Sequence, residues 1–400
     1  MGLFFLRYLT IAAAIAAAFY SLILARAAHL FALDTVASVP AAVTLVPYHA
    51  TYTARLAAWR PLERDELLHR AVELNPWDYR SWIQLGLATE MQNGDANGAE
   101  RDYLRAAEVD HMFLPRWTLT NFYFRQRQPG DFFHWANAAL RITPYSSDPI
   151  FSQMWLVSQD AGTIAAAIPD RARVLLQYAW FLSNSRQFTA IPSVIRRLVA
   201  HVGSAHPSLW GRDDLVSSIE DRILNDGDGR DGLAIWTSLK DGGWIRHGIP
   251  DNEHPLTNGD FRIPFFRHGF DWSPIDSTGT RVEQFHDTPV VRISLSGEQP
   301  EHCVLLRQYV PLSPGSVYKL AWRAVTPDSD MGGGLAWHLR GMPAKATADL
   351  VSGDLSSPSR WQFQAPASEV GMLSLEYSRP LGRVRAAGTI ALEFVSLEKQ

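Results

Sequence analysis

Residues 71–86 read Ala71-Val72-Glu73-Leu74-Asn75-Pro76-Trp77-Asp78-Tyr79-Arg80-Ser81-Trp82-Ile83-Gln84-Leu85-Gly86. One helix ends in this stretch and another begins. Leu67, Leu68, Ala71, Val72 and Leu74 recur at three- and four-residue intervals, which puts them on one helical face. Asn75-Pro76 stops that helix, because proline lacks the N–H that the helix ladder needs. The next element starts near Asp78 and carries Trp82, Leu85 and Gly86. The pattern then returns. Ala71 and Ala106 are 35 residues apart, and so are Trp82 and Trp117. The endings Ala71 to Pro76, Ala106 to His111 and Ala138 to Pro144 are alike, and small alanines at such sites let neighbouring helices approach closely.

Trp-x-x-Leu-Gly at Trp82 to Gly86, with a period near 34 residues, resembles tetratricopeptide repeats. The resemblance covers about residues 62–145 and implies an array of helix pairs that binds peptides or partner proteins. Departures are Thr89 where an aromatic is usual, a loop over Gly94 to Gly98, and Thr120-Asn121 in place of Leu-Gly. Further helix pairs are expected over Arg171 to Val202, split near Ser185, and over Asp213 to Leu239. The helical domain is therefore expected to cover 61–245. Trp117, Phe122, Tyr123, Phe124, Phe132, Phe133 and Trp135 either line a concave face or fill the space between helices. The run Asn225 to Gly232 invites a calcium reading, which fails: Arg230, Asp231 and Thr237 stand where an EF-hand needs an oxygen ligand, Gly and Glu. A solvated turn is expected there.

Tyr8 to Ala25 is an uncharged run of 18 residues between Arg7 and Arg26. As a helix rising ~1.5 Å per residue it is about 27 Å long, close to a bilayer core. Arg7 precedes the run, and after Arg26 no Lys or Arg follows until Arg55, so the positive-inside rule favours a cytoplasmic N-terminus. Besides a buried core helix of a soluble protein, two readings stay open. One is an uncleaved anchor over residues 1–33. The other is a signal peptide cut after the small-x-small pattern Ala25-Arg26-Ala27. Residues 34–60, with Pro40 and Pro47, read as a linker.

Four hundred residues suggest two or three domains. An apolar fraction of 46% argues against a chain that crosses the membrane many times, and a net charge of −4 against a nucleic-acid partner. The single cysteine, Cys303, cannot form an internal disulfide or a thiolate metal site, and its apolar run makes it a small buried residue.

After Pro255 the pattern alternates. Strands are expected at Val290 to Leu295, Val304 to Val310, Tyr318 to Ala324, Leu335 to Leu339, Leu373 to Tyr377 and Ile390 to Leu397. They form an antiparallel β-sandwich or jelly roll over 255–400. The expected class is thus multidomain α and β: an N-terminal transmembrane helix, tetratricopeptide-like repeats and a C-terminal β-sandwich.

Asn258-Gly259-Asp260-Phe261, Gly269-Phe270-Asp271-Trp272 and the stretch Leu306 to Tyr318 resemble carbohydrate-binding modules of the family four, nine and twenty-two type. The last strand, Gly388 to Leu397, is similar too, with Glu393 near the family's usual Asp. The resemblance implies a galactose-binding-like jelly roll. Sugars stack on exposed aromatic rings and need a few polar donors. The candidates for a glycan site are Trp272, Arg307, Gln308, Tyr309, Trp337, Arg340 and Trp361. Alternation sets Trp337 and His338 on opposite faces.

No Gly-x-Ser-x-Gly elbow, His-Glu-x-x-His, phosphate loop or dinucleotide fingerprint occurs in the sequence. No catalytic residue, metal or cofactor is assigned, and the chain is read as a non-enzyme. The expected function is a membrane-anchored envelope adaptor, whose repeats bind a protein and whose sandwich binds a polysaccharide. This resembles accessory proteins of bacterial exopolysaccharide or cell-envelope assembly, on the periplasmic side of the inner membrane. The alternatives are a scaffold that binds no sugar and a glycoside hydrolase with two unmarked carboxylates.

Overall fold

The computed structural model describes residues 2–203, 213–285, 288–325, 333–343, 350–355 and 359–400. The chain forms two compact units, Met1–Ser146 and Ser147–Gln400. The helical region expected over 61–245 is shared between them.

The first unit is helical: α1 (Gly2–Leu33), α2 (Ser38–Leu45), α3 (Ala50–Trp59), α4 (Arg64–Leu74), α5 (Tyr79–Asn93), α6 (Ala96–Val109), α7 (Phe113–Arg125) and α8 (Pro129–Leu140). From α3 onward these are tetratricopeptide-like pairs. Gly86 shows why the motif needs glycine. A Cβ there would lie 2.6 Å from the ring of Tyr103 on α6, and that ring is fully buried. Tyr103 donates a hydrogen bond to Glu90, which also holds Arg125 of α7 at 2.7 Å. Burial alone would raise the Glu90 pKa, but Arg125, Tyr103 and Gln126 outweigh it and hold the carboxyl below its usual range.

Two local expectations are corrected here. Residues 34–60 are not a linker; most of them form α2 and α3. Pro40 falls in the first turn of α2, where its missing N–H has no helix partner to lose. Ala54, Leu56 and Ala57 of α3 are buried, two of them against Leu68, Ala71 and Leu85. Gly94 to Gly98 is not an inserted loop either. Gly94 ends α5 in the left-handed region (φ 66°), Asp95 caps α6 by accepting from the Gly98 N–H, and the connection is two residues long.

The helix α1 has two parts. Tyr8 to Leu22 is exposed. From Ile23 onward a stripe of Ile23, Ala27, Leu30 and Phe31, at helical spacing, packs on Ala42, Val43, Val46 and Tyr52. Ala27 is fully buried, and the rings of Phe31 and Tyr52 stack at 4.5 Å. The helix Arg7–Leu33 is long and apolar enough to cross a membrane.

The second unit opens with α9 (Asp148–Ser158), α10 (Ala161–Ala167), α11 (Ala172–Asn184), α12 (Ile191–Val202), α13 (Asp213–Asp226) and α14 (Gly229–Asp241). Two five-stranded antiparallel sheets follow. Their strands are β1 (Ser273–Pro274), β2 (Thr280–Phe285), β3 (Val290–Ser296), β4 (His302–Pro311), β5 (Val317–Val325), β6 (Leu335–Met342), β7 (Leu350–Asp354), β8 (Arg360–Gln364), β9 (Val370–Ser378) and β10 (Ala387–Lys399). The strand orders are β1-β4-β9-β6-β7 and β2-β3-β10-β5-β8. Both sheets feed one core, with Leu305, Trp337 and Leu375 from the first meeting Ile293, Trp322 and Leu392 from the second. This is an antiparallel β-sandwich. Alternation in β5 buries Tyr318, Leu320 and Trp322 and turns Lys319 and Arg323 outward. Cys303 is buried in the same core.

Candidate functional site

The seven residues singled out for a glycan are not brought together. Trp272 and Trp337 are fully buried in the sandwich core, 6.1 Å apart between ring centroids. Tyr309 is buried, and its hydroxyl donates to Asn225 of α13 at 2.7 Å. Burial foremost pushes its pKa up to about 12. Gln308 is buried and donates to the Thr257 hydroxyl (2.7 Å) and the Phe270 carbonyl (2.6 Å). It therefore ties β4 to the segment leading into the sandwich. Arg307, Gln308 and Tyr309 share a cleft of about 10 Å³, room for one water. Arg340 pairs with Glu376 at 3.0 Å. Trp361 lies on the other sheet, half-buried, 4.5 Å from the Phe363 ring. Rings enclosed in a core present no face to a sugar, so the expectation of a stacking platform at Trp272, Tyr309 and Trp337 is corrected.

What these residues build is structural. Glu376 is fully buried on the face of the first sheet turned away from the core. It accepts from Ser374 at 2.6 Å and lies 3.2 Å from His302 and 3.8 Å from His338. Trp337 faces the core instead, as alternation requires. Arg340, His302 and His338 thus surround one buried carboxylate. Among the described residues no group of His, Cys, Asp or Glu is disposed to hold a metal ion.

The turn between α13 and α14 exposes Asp226, Asp228 and Arg230 to solvent, as expected, but its other side is packed. A Cβ on Gly229 would lie 2.1 Å from Val370 of β9, so the chain there is pressed against the sandwich. Arg230 forms an ion pair with Glu369. His268 holds Asp221 of α13 at 2.8 Å, and the Gly269 N–H donates to the same carboxylate.

Beside Asp221, Glu220 is fully buried, and neither of its oxygens has a hydrogen-bond partner among the described residues. Burial, and then the neighbouring Asp221 charge, raise its pKa well above the usual carboxylate range. Folding therefore binds a proton, and stability falls as pH rises from the ordinary value of 4.5 through the folded one. Hydrogen exchange of α13 is expected to accelerate as pH rises above 4.5, after correction for intrinsic rates. Glu220→Gln is expected to flatten that dependence.

An open recess lies in the helical unit. A groove of about 330 Å³ is lined by Arg55, Ala57 and Ala58 of α3, Arg64 and Leu68 of α4, and Gln84, Leu87, Ala88 and Met91 of α5. This is the low end of volumes that take a small ligand or a few side chains. Ala57, Leu68 and Ala88 are its buried floor, while Leu87 and Met91 stand exposed on its rim. Arg55 is held by Asp34 and stacks toward Trp59. Arg64 donates to the Ala57 carbonyl at 3.4 Å. The arrangement can take apolar side chains on its floor, with the Arg64 guanidinium near by for a carboxylate. Sequence reading missed these residues. The signal was Gln84, Leu87, Ala88 and Met91, a second stripe at helical spacing on α5; the α3 half was hidden in the supposed linker.

No protein-family model and no curated protein matches the chain. Among solved structures, it is similar to accessory secretory protein 1, 2 and 3 of Streptococcus pneumoniae, with 12% identity over 38% of this chain and 99% of that one, at a TM-score of 0.25. It is similar to the Cut9–Hcn1 hetero-tetramer of APC/C, with 11% identity over 55% and 44%, at 0.30. It is also similar to pilF of Pseudomonas aeruginosa, with 14% identity over 48% and 97%, at 0.25.

Proposed function

We propose that the chain is a single-pass, membrane-anchored scaffold whose helical pairs hold a protein partner in the groove between α3, α4 and α5. The observation that carries the anchor is Ala27. A cut after Ala27 would sever a continuous helix at a fully buried residue and strip Ile23 and Ala27 from the packing of α2 and α3. Retention keeps that packing and leaves Tyr8 to Leu22 as an apolar, exposed rod. Arg7 before the run favours both units lying on the extracytoplasmic side.

The sandwich is read as a structural and interaction body, with no sugar stacking at Trp272, Tyr309 or Trp337. In this reading the chain performs no catalytic step. The test is photo-crosslinking of the full chain in its native membrane from a benzophenone side chain at Met91, with Arg127 as control. A discrete protein adduct at 91, lost in Leu87→Asp, is expected. Equal labelling at both positions, or recovery of a soluble chain starting at Ala28, overturns the proposal.

A further inference from the structure

The connections of the helical unit fall into two sets. Successive helices from α1 to α8 pack side by side through short turns, so they alternate in direction and every second turn lies on the same edge. One set comprises residues 34–37, 60–63, 94–95 and 126–128. The other comprises 46–49, 75–78 and 110–112, together with the residues after α8. This second set is on the edge from which the apolar part of α1 projects, because α1 runs toward the first turn of the opposite set.

Each turn of the second set exposes one large apolar side chain: Tyr48, Trp77, Met112 and Tyr145, all between 60% and 72% exposed. The opposite set exposes two large aliphatics, Val36 and Leu62, and contains no aromatic. Contacts link these turns to their neighbours on the same edge. Tyr48 lies beside Tyr20 of α1. The Arg105 guanidinium, near the end of α6, sits 5.9 Å from the Trp77 ring. Phe113, next to Met112, sits 5.6 Å from the Tyr145 ring. At the opposite edge Asp34 holds Arg55 and Trp59.

We propose that this edge rests in the headgroup region of the bilayer that α1 crosses, with Tyr48, Trp77, Met112 and Tyr145 as its contacts. The inference rests on the anchor reading above. Tyr20 lies five residues before the end of the apolar run at Ala25, which is about 7 Å along a helix. That matches the ~5–10 Å depth to which interfacial elements sink, and Tyr48 is at its level. Tyrosine and tryptophan favour this zone because the ring is apolar and its tip polar. The membrane helix is also built into α2 and α3 by its own packing stripe, so the edge is held at this depth and does not hang on a flexible tether.

The test uses the full chain with Cys303→Ala, reconstituted in phosphatidylcholine–phosphatidylglycerol vesicles. Single cysteines at Ile15, His111, Ser146 and Leu62 carry an environment-sensitive fluorophore, and lipids spin-labelled near the headgroup or deep in the acyl chain act as quenchers. Loss of fluorescence at 15, 111 and 146 but not at 62 is expected. Joint replacement of Tyr48, Trp77, Met112 and Tyr145 by serine should relieve quenching at 111 and leave it at 15. Quenching at 15 alone, or equal quenching at 62 and 111, overturns the proposal while leaving the anchor standing. No quenching at 15 shows instead that the anchor reading has failed, and the edge proposal falls with it.

Discussion

Trp337→Ala is expected to destabilise the sandwich by about 3–5 kcal/mol, the range for removing a large aromatic from a packed core. The indole is fully buried, with Trp272 at 6.1 Å and Trp322 at 6.4 Å between ring centroids. Trp272, just before β1, and Trp322 on β5 cannot both collapse into the space it leaves. Hydrogen exchange of β4, β6 and β9 in the full chain measures the effect. Amides that exchange only by global opening should speed up by roughly two to four powers of ten, since each 1.4 kcal/mol is tenfold. Trp361→Ala, on half-buried β8, should change exchange far less. Unchanged exchange in Trp337→Ala together with weakened retention on a polysaccharide would restore the ligand role that burial argues against.

The second large effect is expected at Ala27. Ala27→Glu puts a carboxylate at a fully buried position among Ala42, Val46 and Tyr52. The cluster's own members are all apolar or aromatic, and an uncompensated buried charge costs about 3–5 kcal/mol. The expected result is loss of exchange protection in α2 and α3, while the sandwich strands keep theirs. Ala28→Glu, one position on and exposed, is the control and should change little. If the mature chain began at Ala28, Ala27→Glu would leave its stability untouched. The comparison therefore reads packing and processing together.

How far local pattern reached is plainest in the sandwich. All six expected strands are inner strands of the two sheets, and the four it missed, β1, β2, β7 and β8, are the four edges. An inner strand has one face in the core along much of its length, so its apolar residues recur every second position. An edge strand is short and often polar, which protects it from pairing with other chains. Thr280 to Phe285 buries only Val282 and shows no such period.

In the helical unit the paired helices were legible because packing against both neighbours imposes the 3.6-residue period and the small residues at Ala71, Gly86 and Ala106. α2 and α3 were not. Their alanines and threonines carry little hydrophobic contrast, and Pro40 looks like a breaker until its place in a first turn is known. The apolar run at Tyr8 to Ala25 was visible from composition alone. Its extension into a packing stripe at Ile23, Ala27, Leu30 and Phe31 was not, because only the partners on α2 and α3 distinguish a packed face from a lipid-facing one.

The tertiary structure alone separated exposed aromatics from buried ones. Trp77 and Trp337 each lie in stretches with a clear local pattern, yet one is 72% exposed and the other fully enclosed. Periodicity reports which residues share a face. Whether a face meets another element, water or lipid depends on contacts between residues far apart in the chain, and those exist only once the chain has folded.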